Sequence, residues 1–376
     1  MRLNHSPIAT FVLSLSLLLG CSDPPDDLVP TRQAWVVMGT TLEISVYRPE
    51  TEKAVGLQDL EAAYAEVVEI DQLMSLYRED SEVSRLNARA GEGLLPVSAP
   101  TAEVLRASVH YAKLSGSALD VTVQPLIDLW GFYNVSAAKI PSQDEIDTVL
   151  QRVGINRVTL DEVSGQVALA SNTGLDFGGI AKGYAVDRAI KVLKARGVRA
   201  GLVNLGGNVG VFGQASIGRP WLIGIRHPRE NRLIGQVSLM SGAVATSGDY
   251  DRYFEFEGKR YSHILDPRVG WPVEDIYSLT VVAPNATTAD ALSTAAFVMG
   301  DVQGMDLLSR CESVDGLLIQ PDVKASVLGA VRTDSGANQI NGENPSFEID
   351  ATVTPRNLAR ASLSGATPIE DCVWSF

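Results

Sequence analysis

Residues 241–270 read SGAVATSGDYDRYFEFEGKRYSHILDPRVG. The segment begins with small and apolar residues that are typical of a buried strand, and it continues into a loop rich in charged and aromatic residues. Only four histidines occur in the whole chain, and one of them lies in this loop. Six side chains with acid–base or hydrogen-bonding chemistry are brought together here: Ser247, Asp249, Arg252, His263, Asp266 and Arg268. The stretch therefore predicts a strand that ends at a functional site.

The composition limits the kind of protein this is. The chain has 376 residues, of which 45% are hydrophobic and 20% are charged, enough apolar surface for a full core in one large domain or two. The formal net charge of -14 argues against nucleic acid as a partner, because binding the phosphate backbone requires a basic surface. We expect a protein or a small molecule as the partner.

The N-terminal segment is typical of an exported protein. Residues 8–21 form the apolar run IATFVLSLSLLLGC, which is short for a membrane span and has the length of a signal-peptide core. The run ends in a sequence that resembles the bacterial lipobox, so we expect residues 1–20 to be a lipoprotein signal peptide and Cys21 to carry the lipid. An ordinary signal peptide with an incidental cysteine is the alternative. Residues 21–32 are polar and proline-rich, which predicts a tether.

Strand and helix patterns alternate over residues 33–330. Helical periodicity covers residues 59–77, 101–115, 142–154, 183–197 and 287–300. Strand patterns cover residues 41–47, 157–162, 166–170, 200–207, 221–228, 235–248 and 278–284. The mixture predicts one domain of the α/β or α+β class over residues 33–330. Residues 331–376 are a polar C-terminal tail, which we expect to be loose apart from whatever Cys372 holds.

Two cysteines follow the predicted lipidation site, Cys311 and Cys372. In an oxidising compartment they could form one disulfide that fastens the tail, or both could stay as thiols, since elimination alone does not settle connectivity. The sequence has no closely spaced Cys or His pairs of the kind that bind zinc.

The segment LDFGGIAKGYAVDRA begins at Leu175 and is typical of an anion site. Gly178 and Gly179 allow a ligand to approach the main chain, the following helix offers free N–H groups, and Lys182 adds a positive charge. A phosphate group would fit there. A strand-to-helix turn with a surface lysine is the other interpretation.

The segment TTADALSTAAFVMG, residues 287–300, predicts a helix with Thr287 or Thr288 near its N-cap and Gly300 at its end. Asp290 and Thr294 are four residues apart, so both lie on one helix face. Carboxylate and hydroxyl oxygens are hard ligands that Mg²⁺ accepts. Alternatively, the aspartate interacts with the helix dipole and the threonine bonds to its own main chain.

Three further segments carry less specific signals. Asp120 lies in an apolar stretch that ends in two aromatic residues and is most simply part of the core. Tyr77 lies where a helix meets a polar loop, and it could stack on a flat ring or cover the core. The segment GLVNLGGNVGVFG is a strand with a glycine-rich exit, but it lacks the spacing of a dinucleotide-binding fingerprint.

Seven segments, taken in order, resemble the ApbE family of periplasmic flavin transferases over residues 35–318. They are MGTTLEI, DQLMSLYREDSEVSRLN, LDVTVQPLIDLWGF, LDFGGIAKGYAVD, LVNLGGNV, VATSGDYDRYFEFEGKRYSHILDPRVGWPV and ADALSTAAFVMG. The resemblance implies a single catalytic domain that is ApbE-like (T-fold-like), with mixed sheets flanked by helices. It also implies the family's reaction, in which FAD is the substrate, FMN is attached through a phosphoester to a Thr of an acceptor protein, and AMP leaves.

The resemblance also assigns site residues. The positions that match the family's FAD contacts are Met38, Tyr77, Ala118, Leu119, Asp120, Asp176, Lys182 and Ile264. The positions that match the Mg²⁺ ligands are Gly179 through its carbonyl, Asp290 and Thr294. The family usually has Phe-Asp-Pro where this chain has Leu119, Asp120 and Val121, so only the aspartate's role carries over directly. The implied acceptors are subunits of respiratory electron-transfer complexes, and the implied location is the periplasmic face of the bacterial inner membrane, with the lipid on Cys21 as anchor.

His263 is the catalytic candidate. It lies next to Ile264, and a histidine titrates near neutral pH, so we expect it to accept the proton of the acceptor threonine. A metal-bound group or an aspartate could be the base instead. We expect Asp266 and Arg268 to order the loop, and Ser247 with Asp249 to shape the pocket wall.

Two other functions stay open at this point. The protein could be an FAD pyrophosphatase that releases free FMN and AMP, or a non-catalytic FAD-binding lipoprotein. The tail segment LSGATP contains Thr367 and resembles the Ser-Gly-Ala-Thr core of the family's acceptor sites. Self-flavinylation at Thr367 is a separate hypothesis, weakened because Ala361 stands where an aspartate is expected.

Overall fold

The fold was analysed in a computed structural model. It describes residues 28–134, 138–214 and 219–321, the strand segments 325–328, 331–333, 339–340 and 347–350, residue 369 and residues 371–375. The predicted signal peptide, Cys21 and Thr367 lie outside the described residues.

The described chain contains seven α-helices and eighteen strands, numbered in chain order. The helices are α1 (Lys53–Met74), α2 (Glu82–Ala88), α3 (Ala99–Leu114), α4 (Gln124–Trp130), α5 (Gln143–Leu150), α6 (Ala181–Ala195) and α7 (Ala286–Arg310). The strands are β1 (Leu28–Val37), β2 (Thr40–Pro49), β3 (Leu95–Pro96), β4 (Val158–Asp161), β5 (Gln166–Leu169), β6 (Ala200–Leu205), β7 (Asn208–Phe212), β8 (Trp221–Arg226), β9 (Leu233–Leu239), β10 (Gly242–Gly248), β11 (Tyr253–Phe256), β12 (Lys259–Ser262), β13 (Ser278–Ala283), β14 (Asp315–Ile319), β15 (Ala325–Leu328), β16 (Val331–Thr333), β17 (Gln339–Ile340) and β18 (Phe347–Asp350).

A nine-stranded sheet is the centre of the fold. Its order is β1-β2-β6-β7-β10-β13-β14-β15-β17, and every neighbouring pair is antiparallel. The strand β10 belongs to the opening stretch and lies in the middle, between β7 and β13. Because a central strand is covered on both faces, its near-continuous run of small and apolar residues is what this position requires.

Helices cover one face of this sheet. The apolar faces of α1, α6 and α7 pack on the strands and on one another, forming the largest core cluster. The contact between α6 and α7 is unusually close, since a Cβ added at Gly183 would lie 2.2 Å from the carbonyl oxygen of Ala286. The sequence-predicted α/β (α+β) class is confirmed, with the central sheet antiparallel and the helices on one side.

A second sheet covers the other face. Its order is β16-β18-β9-β8, and it is mixed because β18 runs parallel to β9. Apolar residues of β8 and β9 pack against β7, β10, β13 and β14 in a separate core cluster. The prediction of a single strand over residues 235–248 is wrong. A turn at residues 240–241 separates β9 and β10 and sends them into different sheets.

Helix α7 differs from the sequence prediction at both ends. Asn285 is its N-cap, and the Asn285 side chain accepts a hydrogen bond from the N–H of Thr288. Gly300 is a break rather than the end, since it has φ of 86° and the helix resumes to Arg310. Only glycine adopts this conformation readily. A Cβ at Gly304 would lie 2.2 Å from the carbonyl of Ala296, so the two arms, 286–299 and 301–310, fold back on each other.

The two ends of the described chain are more ordered than expected. Strand β1 begins at Leu28, so the last five residues of the predicted 21–32 tether belong to the sheet. In the tail, β16 to β18 join the two large sheets, because exposed edges such as those of β9 and β15 offer unpaired main-chain groups to a further strand. Cys311 and Cys372 form a disulfide, which settles the alternative left open by the sequence.

Candidate active site

One cavity collects the residues that the sequence singled out. It has a volume of about 430 Å³, within the usual range for small-molecule sites. Its walls come from the β1–β2 turn, the end of α1, the start of α6, the end of β10, the β12 exit and the first arm of α7. All twelve predicted ligand and catalytic positions line it: Met38, Tyr77, Ala118, Leu119, Asp120, Asp176, Gly179, Lys182, His263, Ile264, Asp290 and Thr294. Their individual roles stay predictions.

The turn before α6 forms a site suited to an anion. The Asp176 carboxylate accepts the N–H of Gly178 at 2.6 Å, which closes a tight turn. Lys182 donates to the carbonyl of Gly178 at 3.0 Å, so its ammonium group stays over the beginning of the helix. The N–H groups of Ile180, Ala181 and Gly183 already have acceptors within the protein, so the attraction for a phosphate rests on the Lys182 ammonium group and on the positive end of the α6 dipole.

Oxygen atoms from this turn and from α7 lie close together. The Thr294 hydroxyl lies 3.4 Å from the carbonyl oxygen of Gly179, and the Asp290 carboxylate accepts the N–H of Gly183 at 2.8 Å. Asp290 is only 4% exposed, and burial raises its pKa while the charge of Lys182 lowers it. A buried carboxylate of this kind needs a cation or a proton.

These donors fit a magnesium ion. A carbonyl, a carboxylate and a hydroxyl are all hard oxygen ligands, and Mg²⁺ takes its remaining ligands from water and substrate phosphate. The second oxygen of Asp290, Oδ1, has no hydrogen bond with any residue of the described part of the chain. In the same part of the chain, no three His, Cys, Asp or Glu side chains form a metal cluster. The fit therefore rests on this mixed donor set.

Two serines support the threonine donor. The hydroxyl of Ser247, at the end of β10, lies 3.0 Å from that of Ser293 and 3.3 Å from that of Thr294. Ser293 in turn donates to the carbonyl of Asp290 at 2.9 Å. The expectation that Ser247 shapes the wall is met, because it lines the cavity and fixes the rotamer of Thr294.

His263 is held by the main chain of Arg252 at the base of the β11–β12 hairpin. The main-chain N–H of His263 donates to the Arg252 carbonyl at 3.0 Å, and the ring Nδ1 lies 3.0 Å from the same oxygen. Since a carbonyl only accepts, Nδ1 carries the proton and Nε2 keeps its lone pair. Burial, aided by the charges of Arg252 and Lys182, lowers the pKa of His263 to about 4. His263 is therefore a neutral imidazole that can accept a proton.

The mouth of the cavity contains aromatic and basic side chains. Tyr77 is 61% exposed and its hydroxyl accepts from Arg252 at 2.6 Å. Tyr133 meets the Tyr77 ring edge-on, with ring centroids 6.1 Å apart, and donates its hydroxyl to Asp176. Met38, in the β1–β2 turn, also lines the cavity and has φ of 52°. An exposed tyrosine ring held in this way offers a face to a flat ligand.

Asp120 lines the cavity with its carboxylate held in a network of hydrogen bonds. Its side chain is 3% exposed and accepts from the N–H and hydroxyl of Thr122 and from the N–H of Ile155. Burial raises its pKa, and these hydrogen bonds lower it. These hydrogen bonds order the loop around Asp120, and its predicted contact with FAD stays a prediction.

The remaining residues of the opening stretch have structural contacts. Asp266 and Arg268 form a bidentate ion pair at 2.7 and 2.8 Å, which orders the loop as expected. Asp249 does not line the cavity, so its predicted place in the wall is wrong. It pairs with Arg229 at 2.5 and 2.7 Å, and the guanidinium lies 3.6 Å from the centre of the Tyr277 ring. Asp249 is thus held by an ion pair with the loop that joins β8 and β9.

Tyr133 and Asp251 are among the cavity residues that the sequence did not single out, and the contact of Arg252 with Tyr77 was not predicted. Tyr133 directly follows the aromatic segment that ends at Phe132, so the periodicity gave it no separate signal. Burial raises the pKa of Asp251, which the charges of Lys182, Arg226 and Arg252 lower. Only the approach of the α1 end to the β10–β11 loop brings Arg252 to Tyr77.

Comparison with known proteins agrees with this geometry. The model of the ApbE family matches residues 38–318. The FAD:protein FMN transferase of Vibrio cholerae is 34% identical over 300 residues, which cover 78% of this chain and 87% of that protein. The crystal structure of the ApbE protein from Thermotoga maritima superposes with a TM-score of 0.74 at 34% identity, covering 80% of this chain and 97% of that one. The flavinyl transferase ApbE of Pseudomonas stutzeri superposes with a TM-score of 0.69 at 33% identity, covering 78% and 92%.

The fold and the cavity thus define a protein with an antiparallel central sheet and a cavity in which a lysine at a helix start lies close to oxygen atoms of α7 and of the preceding turn. The chain belongs to the ApbE family.

Proposed function

We propose that this protein is an FAD:protein FMN transferase that moves FMN from FAD to a threonine of an acceptor protein, with Mg²⁺ and with release of AMP. The convergence of three groups in one cavity carries the proposal. They are the oxygen donors of Gly179, Asp290 and Thr294, the cation of Lys182 at the start of α6, and the neutral His263. Family membership and the names of the relatives support the flavin as the transferred group.

The binding of FAD is inferred from the shape of the cavity. The exposed ring of Tyr77 is available to stack on the isoalloxazine, and Met38 lines the same cavity. The main chain from Ala118 onward and the segment at Ile264 form the sides. This arrangement directs the pyrophosphate toward Lys182 and the helix start, where the positive charge lies.

The reaction is a displacement at phosphorus. A bound Mg²⁺ would neutralise charge on the pyrophosphate, and Gly179, Asp290 and Thr294 would hold it. Lys182 neutralises further charge through its ammonium group. The cavity residues keep the attacking and leaving oxygens in line by fixing the flavin and the pyrophosphate.

Atoms and electrons balance in this step. The threonine Oγ of the acceptor forms a bond to the phosphorus of the FMN half, and the bond from that phosphorus to the bridging oxygen breaks. AMP leaves with the bridging oxygen. His263 accepts the hydroxyl proton at Nε2, since Nδ1 is already protonated and bonded to Arg252. Its low pKa keeps it in the accepting form throughout the neutral range.

The cellular setting is also part of the proposal. The lipobox-like sequence supports a lipid on Cys21 and a place on the periplasmic side of the bacterial inner membrane, with respiratory electron-transfer subunits as acceptors. The Cys311–Cys372 disulfide favours an oxidising compartment. None of the helices in the described ranges is long and apolar enough to cross a bilayer.

A pyrophosphatase is the second candidate, because the same donors would serve water as the nucleophile. A binding lipoprotein is less favoured, since mere storage of FAD gives no reason to bury the Asp290 carboxylate beside the pyrophosphate site. Neither the donor set nor His263 distinguishes water from threonine.

The test measures FAD cleavage by chromatography, with and without a domain that carries a Ser-Gly-Ala-Thr segment, in Mg²⁺ and in EDTA. A transferase produces AMP in step with the acceptor and little free FMN. His263→Gln serves as the matched variant, because it removes the base and keeps a polar group in the loop. Equal AMP and free FMN without acceptor would instead identify a pyrophosphatase, and no AMP in any condition would reduce the protein to a flavin binder.

A further inference from the structure

The described end of the chain packs against both ends of α7. We call this segment, Ile369 and residues 371–375, the C-terminal brace. Cys372 is bonded to Cys311, which is the C-cap of α7. Ile369 donates its N–H to the carbonyl of Arg310 at 2.9 Å. These two contacts fasten the brace to the end of the second arm.

The brace also reaches the beginning of the first arm. The N–H of Trp374 lies 3.3 Å from the Tyr111 hydroxyl and 3.3 Å from the Thr288 hydroxyl. The Trp374 carbonyl accepts from the Asn285 side chain at 2.7 Å. One residue of the brace thus contacts both the N-cap residue and the first turn of α7.

The Asn285 contact has a direct effect on the cap. The Oδ1 of Asn285 accepts the N–H of Thr288 at 2.8 Å, while its Nδ2 donates to Trp374. An N-cap side chain stabilises a helix start only in the rotamer that aims its oxygen at the free N–H groups. The carbonyl of Trp374 selects that rotamer.

Tyr111 completes the contact from α3. It is fully buried, and its hydroxyl lies 2.8 Å from the Thr288 hydroxyl and 3.3 Å from the Cys372 carbonyl. Asp187 on α6 holds the same turn from another element, since it accepts the N–H groups of Ala286 and Thr287 at 2.9 and 2.8 Å. The first turn of α7 is therefore fixed by two separate sets of contacts.

The first turn of α7 leads directly into the proposed cation site. Asp290 lies two residues after Thr288, and Thr294 lies one helical turn further on the same face. Both side chains are donors of that site. A helix arm is stiff, so a displacement of its first turn is transmitted to Asp290.

We propose that the C-terminal brace is a positioning element for the cation-binding arm of α7, and that the Cys311–Cys372 disulfide makes this positioning depend on thiol redox state. Because the two arms of α7 are antiparallel, their outer ends lie together, and one short peptide tied by one disulfide reaches both. This inference rests on the proposed function only in assigning a cation to Asp290 and Thr294.

Reduction gives a balanced chemical step. A dithiol such as dithiothreitol transfers two electrons and two protons to the disulfide, forming two cysteine thiols and the cyclic disulfide of the reagent. The covalent tie is then lost, and the Trp374 contacts are held only by their own hydrogen bonds. Ordering the end of the chain at those contacts then costs conformational entropy.

The experiment compares oxidised protein, protein reduced with dithiothreitol, Cys372→Ser and Asn285→Asp. The Asn285→Asp variant keeps an oxygen for the N–H of Thr288 but loses the donor to Trp374. Trp374→Phe is the matched control, because it keeps the main-chain groups that form the brace contacts. A Cys311→Ser/Cys372→Ser variant controls for other effects of the reductant, and thermal unfolding confirms that each protein is folded.

Two readouts that use neither FAD nor an acceptor are measured. Hydrogen exchange of residues 286–299 reports the first arm, and Mn²⁺ binding by electron paramagnetic resonance reports the cation site. Reduction, Cys372→Ser and Asn285→Asp should each speed exchange in the first turn and weaken Mn²⁺ binding by about fivefold, the effect of losing one hydrogen bond. FAD affinity, measured separately by fluorescence quenching, should change by less than about twofold.

Faster hydrogen exchange in the reduced or substituted proteins without weaker Mn²⁺ binding would overturn the proposal. An equal loss of FAD and Mn²⁺ affinity would also overturn it, because it indicates that the whole cavity has become less ordered. Unchanged exchange would overturn it as well, and so would a wild-type protein that binds no Mn²⁺. If the variants behave as expected but the wild-type protein transfers no FMN, the brace is supported and the transferase proposal is contradicted.

Discussion

The contact between α6 and α7 provides the sharpest test of how the site is built. Gly183 lies where these helices touch, and its N–H donates to Asp290. A Cβ at this position would lie 2.2 Å from the carbonyl oxygen of Ala286 and 2.7 Å from Cβ of Asp290. Ordinary contacts begin near 3.4 Å, so Gly183→Ala requires the helices to separate by about 1 Å.

That separation acts on the catalytic geometry and on stability. A misplacement of about 1 Å typically reduces turnover by about 100-fold, and overpacking costs about 1–3 kcal/mol. We therefore expect Gly183→Ala to lower kcat for FMN transfer by about two orders of magnitude, with an unfolding midpoint that is lower but still measurable. FAD cleavage and urea unfolding measure the two effects.

Gly56→Ala in α1 is the matched control. A Cβ at Gly56 would lie 3.0 Å from Oγ1 and 3.4 Å from Cβ of Thr31, so a shift of a few tenths of an ångström accommodates it. Since alanine favours a helix by up to about 1 kcal/mol over glycine, stability should not fall much and activity should stay at the wild-type level. A fully active Gly183→Ala protein would refute the idea that close helix packing sets the position of Asp290.

Three further predictions concern the site and the disulfide. Because His263 must be neutral to accept a proton and its pKa is lowered to about 4, kcat/KM should fall only below about pH 5. Arg252→Gln removes a positive charge near His263, so the fall in kcat/KM should move to higher pH. A fall in the wild-type protein near the ordinary pKa of histidine would contradict the assignment. Asp290→Asn should reduce Mg²⁺-dependent FMN transfer by at least about 100-fold while FAD binding, followed by fluorescence, stays close to normal; retained activity would exclude the carboxylate as a ligand. Replacing Cys311 and Cys372 by serine, which opens a link across 61 residues, should lower the free energy of unfolding in urea by about 4 kcal/mol, and a loss below about 1 kcal/mol would show that other contacts hold the chain end.

Local patterns predicted most of the regular structure. The helical spacing of residues 59–77 and 183–197 reappears in α1 and α6, because an apolar stripe on a helix must pack against the sheet. The prediction of one strand over residues 235–248 failed because β9 and β10 follow each other directly and both carry apolar residues that pack in the core. No periodicity marks where a chain leaves one sheet for another.

The site was accessible to sequence reasoning where the residues are close along the chain. The pair Asp290 and Thr294 shares a helix face by spacing alone. The role of Asp249 was misjudged because its partner, Arg229, comes from the loop that joins β8 and β9. Likewise, the link from Arg252 to Tyr77 joins residues 175 positions apart. Such contacts depend on how the elements pack, which local patterns do not encode.

The position of the chain end was also beyond the sequence. The polar composition of residues 331–376 gave no signal for the main-chain pairing of β18 with β9. The pairing of Cys311 with Cys372 depends on the antiparallel arms of α7, which result from the break at Gly300.

Intact mass spectrometry of an acceptor domain incubated with this protein, FAD and Mg²⁺ tests the central claim most directly. The account predicts a mass gain equal to one FMN joined with loss of water, one AMP released for each acceptor modified, and neither product when the acceptor threonine is replaced by alanine. AMP release without a mass gain, or a gain that persists on the alanine acceptor, would contradict the assignment of this cavity as a site of flavin transfer to threonine.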